Sequence, residues 1–133
     1  MKSQVFIQGF NRVEHHQIIS LERAKLNRLL GEERRFTETL IASMRREIEA
    51  GARGLPSFEI VWSKIQNHAV LQNVRRRIDC LTDAYPQFLQ QVNAVRASLR
   101  EKAFAALEAA RMAIQKANCL SRRATSIAVL VIN

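Results

Sequence analysis

Cysteine, proline, glycine and aromatic residues are all scarce in this chain. Its 133 residues hold two cysteines, two prolines and four glycines, and only 6% are aromatic. Cys80 and Cys119 stand far apart, with no CxxC pair and no cysteine/histidine spacing of a metal knuckle, which leaves a zinc site or a disulfide framework without support and points to reduced thiols. No stretch approaches the roughly 20 apolar residues that span a bilayer. The opening "MKSQVFIQGFNRVEHH" lacks an apolar run followed by a small-residue cleavage site, so a cytoplasmic location is expected. Also missing are paired carboxylates in an apolar setting and a serine or cysteine nucleophile with a base beside it, so no enzyme, metal or cofactor is expected. His15 and His16 are adjacent and on a helix would point about 100° apart, away from any single metal ion.

What is present favours helix. Hydrophobic residues make up 47% of the chain, and alanine, leucine, arginine, glutamine and glutamate, which lose little side-chain freedom in a helix, dominate. The formal charge is +9, from 21 lysines and arginines against 12 acids. Ten bases and seven acids lie up to Leu55, and 11 and five from Pro56 onward, so the second half is the more polyanion-seeking.

From about Arg12 to Ala50, Ile19, Leu26, Leu29, Phe36, Leu40, Met44 and Ile48 follow the three-four rhythm of one helical face, with Glu22 and Glu33 at two further positions of that seam. Gly31 weakens this helix without ending it. A second seam is stricter: Leu71, Val74, Ile78, Leu81, Tyr85, Phe88, Val92, Val95 and Leu99. It keeps phase through Pro86, which predicts one helix kinked there, with a short interruption as the alternative. It then steps by four into Ala103, Ala106, Ala110, Ala113, Ala117, Leu120 and Ala124.

Between the seams lies "GARGLPS", residues 51–57. It lacks the Lys-Ser/Thr ending and preceding strand of a phosphate loop and reads as a hairpin tip, with Ser57 the N-cap of the second helix. The expected fold is therefore all-α: a single coiled-coil domain, a long antiparallel two-helix hairpin with unequal arms. Helix 1 covers about 12–50, the tip 51–56, helix 2 about 57–124 and an apolar tail 125–133. Folding about a centre near 53.5 sets Leu29 against Ile78, Leu26 against Leu81, Phe36 against Leu71, and Glu33 against Val74 beside Arg75. Ile48 falls near Val61 and Met44 near Ile65.

In that register helix 2 projects beyond helix 1 past about Leu99. The overhang exposes Ala103, Phe104, Leu107, Ala110 and Ile114, which would need a partner. Near the tip, Phe58, Trp62 and Ile65 form an aromatic-led start to helix 2 that suits partner contact. Arginine clusters, Arg34-Arg35, Arg45-Arg46, Arg75-Arg76-Arg77 and Arg122-Arg123, splay around their helices as basic collars, either solubilising or docking surfaces. The tail "SIAVLVIN" is an added strand, an interfacial patch or a disordered end.

The long first helix, the glycine-containing turn, the start "FEIVWSKIQNHAVLQNVRRRIDCL" and the alanine-rich "LREKAFAALEAARMAIQKANCLSRRA" together resemble the FliJ/YscO family of type III secretion proteins, over roughly Ile18 to Ala124. The resemblance implies a cytoplasmic coiled-coil stalk at the inner-membrane export machinery, standing in the pore of the hexameric secretion ATPase and meeting the export gate protein and secretion chaperones. It implies a gate contact around Phe58, Trp62 and Ile65. Charge and seam alone also fit a basic helical nucleic-acid-binding protein or a coiled-coil adaptor or chaperone that dimerises through its alanine seam.

Overall fold

A computed structural model describes the backbone of residues 2–51 and 56–132 and the side chains of residues 12–51 and 56–123. The chain is all-α: α1 spans Lys2–Gly51, α2 Phe58–Gln66, α3 Ala69–Ala84 and α4 Leu89–Ile132, with a 3₁₀ turn at Pro86–Phe88. Among the described residues there is no strand, and no helix is long and apolar enough to cross a membrane. The expected tip residues 52–55 and the side chains of the tail 125–133 lie outside the described residues.

α1 runs unbroken through Gly31, where an added Cβ would meet nothing closer than the Arg35 guanidinium at 3.8 Å. α2 begins as the sequence predicts. Ser57 is extended at its N-terminus, and its hydroxyl accepts a hydrogen bond from the Ile60 N–H at 3.4 Å. That bond satisfies one of the donors a helix start leaves unpaired.

Two breaks divide what the seam presents as one helix. The first falls at Asn67-His68: the His68 N–H bonds back to Ile65 O, and the His68 ring nitrogen Nδ1 accepts from the Val70 N–H at 3.3 Å, capping α3. His68 also meets Phe36 edge-on, with ring centroids 4.9 Å apart, so it borders the α1–α3 interface. The second break is a reversal. Proline has no N–H to give and pushes its predecessor out of helical backbone. Tyr85 accordingly adopts φ −131°, ψ 82°, and the Phe88 N–H closes the turn on Tyr85 O at 3.0 Å.

α3 lies antiparallel to α1 in the expected register. Leu26, Leu29, Leu30, Ile78, Leu81, Phe88 and Val92 form one buried cluster, flanked by Ile19, Val74, Tyr85 and Val95. α4 then corrects the two-helix hairpin, because it turns back and runs parallel to α1. Gln91 donates to Asn27, Arg96 pairs with Glu33 and Lys102 pairs with Glu38, so numbers rise together along both helices. A second buried cluster joins Ile48 of α1, Val61 and Ile65 of α2, Leu71 of α3, and Leu107 and Ala110 of α4.

The return removes most of the expected overhang. Ala103, Leu107 and Ala110 are buried, and Ile114 packs against the second cluster. The middle of the molecule is thus a three-helix bundle. α1 continues beyond it at the reversal end, where Val13, Ile18 and Leu21 are exposed. α4 continues beyond it at the opposite end, past the level where Ala113, Ala117 and Asn118 still line a groove with Glu49 and Gly51.

Candidate functional site

The most distinctive surface is aromatic. The capped start of α2 puts Phe58 and Trp62 four residues apart, one above the other on a single helical face. Their rings stack with centroids 6.1 Å apart and planes 17° from parallel. α4 supplies the third ring: Phe104 meets Phe58 edge-on at 5.4 Å and 78°. The arrangement sets the positive edge of one ring on the negative face of another.

Beside the rings, Arg100 donates to the Glu59 carboxylate at 2.8 Å and holds its guanidinium carbon 5.5 Å from the Phe58 ring centre. Phe58, Glu59, Ala97, Arg100, Glu101 and Phe104 line an open cleft of about 480 Å³. Phe104 is 52% exposed and nearby Ile60 54%, whereas Phe58 and Trp62 also pack inward on the second core cluster. Ile65, expected at this surface, is buried in that cluster and serves packing.

Between the two apolar clusters lies a polar layer. Glu33 is almost wholly buried; its Oε1 accepts from Arg75 Nε at 2.8 Å and from Arg96 Nε at 3.3 Å. The seam acid Glu33 therefore finds Arg75, as its register predicts, and Arg96 as well. Arg96 Nη2 lies 3.8 Å from Asp79 Oδ1 and makes no hydrogen bond, so Asp79 holds it by charge alone. Thr37 is buried one turn further along α1.

The basic collars separate into different surroundings. Arg75 turns inward onto Glu33, while Arg76 and Arg77 are exposed. Arg77 lines an open groove between α1 and α3 together with Lys25, Arg28, Glu32 and Cys80. Arg45 pairs with Glu49 one turn on at 2.9 Å, and Arg34, Arg35 and Arg46 are exposed. Arg122 and Arg123 are exposed on the part of α4 beyond the bundle.

Lys102 hydrogen-bonds Glu38 at 2.8 Å and holds its carboxyl below the ordinary carboxylate range. The stabilisation this gives is present above the ordinary carboxylate pKa and is lost as pH falls through the lowered one; exposure of both groups keeps it small.

Among the described residues no group of three or more histidine, cysteine or acidic side chains is placed to hold a metal ion. His15 and His16 are exposed, with ring centroids 6.5 Å apart.

Sequence reasoning placed Phe58 and Trp62 together at the start of the second helix but put Phe104 on a projecting arm. It missed the Arg100–Glu59 pair altogether. Helical periodicity carries no signal for either, because both depend on α4 returning past α2. Compared with known proteins, the chain matches no family model, no curated protein and no solved structure.

Proposed function

We propose that the chain is a coupling component of a type III protein secretion export apparatus, joining the hexameric secretion ATPase to the export gate protein at the inner membrane, with secretion chaperones as further partners. The observation that carries this reading is the half-exposed aromatic face of Phe58, Trp62 and Phe104. It includes two of the residues for which the family resemblance implies a gate contact. Large aromatic side chains anchored in a core and open on one side are the usual energetic centres of protein interfaces. At the other end of the bundle, Lys25, Arg28 and Arg77 offer a basic groove to acidic loops of the ATPase. The three-helix middle is the connecting body.

A second reading rests on that same basic groove and the +9 charge: binding of nucleic acid. The adaptor reading loses its alanine seam as far as Ala110, since Ala103 and Ala110 are buried within the chain.

One experiment separates these. The tagged chain, captured from its native cell, is expected to bring down a hexameric ATPase and the gate protein. Trp62→Ala with Phe104→Ala should lower gate recovery at least tenfold while ATPase recovery holds. Recovery of nucleic acid alone, with DNA binding that is micromolar or tighter and falls steeply with salt, would overturn the coupling role.

A further inference from the structure

We infer that the end of α4 is a basic amphipathic helix that binds the surface of an anionic membrane. Glu108 is the last acid in the chain. The 25 residues after it carry Arg111, Lys116, Arg122 and Arg123 and no acidic side chain. α4 runs through this segment to Ile132, and among its described residues Met112, Lys116, Cys119, Leu120, Arg122 and Arg123 are all exposed.

The spacing gives the helix two faces. Leu120, Ala124, Ile127 and Val131 recur by four and three, so they occupy one stripe, which continues the line of Ala113 and Ala117 beyond the groove those two share with the end of α1. Arg111, Gln115, Arg122 and Ser126 fall on the opposite side, and Lys116 and Arg123 fall toward the boundary, where long cationic side chains can lay their stems along an apolar surface and keep their charge in water. An apolar stripe with an all-cationic polar face is the pattern of helices that lie in the plane of a bilayer interface.

Two features favour lipid over a protein occupant. Arg111 is already paired with Glu108 at 3.7 Å, and a second copy of this chain would set Lys116, Arg122 and Arg123 against their counterparts with no acidic side chain inside the segment to answer them, so self-pairing is electrostatically opposed. The run "IAVLVI", residues 127–132, is apolar at six consecutive positions, which on a helix cover every side. A groove on an acidic protein accommodates a stripe; an acyl phase accommodates a helix end that is apolar all round.

This inference stands apart from the coupling role and is tested without an ATPase or a gate. The full chain is floated with vesicles of phosphatidylcholine alone and with vesicles in which about a quarter of the lipid is phosphatidylglycerol. Binding should be at least tenfold stronger to the anionic vesicles and should fall about tenfold or more in roughly 0.5 M salt. Arg122→Glu with Arg123→Glu should abolish the preference, while circular dichroism and the melting transition stay unchanged, because both residues are exposed. Leu120→Asp should weaken binding to both vesicles. Equal binding to neutral and anionic vesicles, binding unaffected by the charge reversals, or binding to polyglutamate with none to vesicles would each overturn the inference.

Discussion

Phe88→Ala is expected to lower the unfolding free energy by about 3–5 kcal/mol, the range for deleting a fully enclosed aromatic ring. Phe88 is wholly buried, and it closes the reversal between α3 and α4. Its ring packs on Tyr85, with centroids 5.4 Å apart, and lies under the Arg23 guanidinium at 5.0 Å. It also joins residues of α1, α3 and α4 in one cluster. A domain of this size holds about 5–15 kcal/mol of stability in all, so the variant should unfold at a markedly lower urea midpoint. In an open two-helix hairpin the same ring would border solvent. A cost near 1 kcal/mol would therefore indicate that α4 does not close over it.

Glu33→Ala should cost about 3 kcal/mol, at the lower end of what breaking a buried ion pair costs. The reason is the pair of cations left behind. Arg75 and Arg96, each about a quarter exposed, converge on the one carboxylate and would face each other across its vacancy. Like charges at that separation repel, and neither guanidinium has full access to water. Replacing all three together, Glu33→Leu with Arg75→Met and Arg96→Met, should restore or exceed the original stability, because apolar packing carries no desolvation penalty. Urea unfolding followed by circular dichroism measures both. If the single variant is neutral, the layer is not a closed ionic contact.

The two results also separate the features legible in the sequence from those that were not. The α1–α3 register followed from two seams and the position of the turn between them, and with it the pairing of Glu33 with Arg75. Ser57 was legible as a cap because a hydroxyl residue after proline, just before an apolar helical pattern, has one evident use. The direction of the chain after Pro86 was not legible. A three-four rhythm tells which side chains face inward, and it reads the same whether the helix continues straight on or turns back on the same core.

Tyr85 and Phe88 kept phase across the proline because both plug the interior of the reversal. The local cue was present all the same: proline restricts its predecessor, and here that restriction ended the helix. Asn67-His68 gave a weaker cue: asparagine caps helices readily, histidine is not among the favoured caps, and neither glycine nor proline marks the break. Everything built on α4's return was hidden with it, namely the second arginine on Glu33, the cover over Ala103 and Ala110, and the seat of Phe104 against Phe58.

The return of α4 along α1 is thus the central claim, since the aromatic face exists only if it holds. Gln91 Nε2 lies 2.6 Å from Asn27 Oδ1. In a straight hairpin centred near 53.5, Gln91 would instead stand opposite His16. In a background of Cys80→Ser and Cys119→Ser, Asn27→Cys with Gln91→Cys should be joined within one chain by a short bismaleimide, and His16→Cys with Gln91→Cys should not. Efficient joining of the His16 pair and failure of the Asn27 pair would contradict the fold and the site that depends on it.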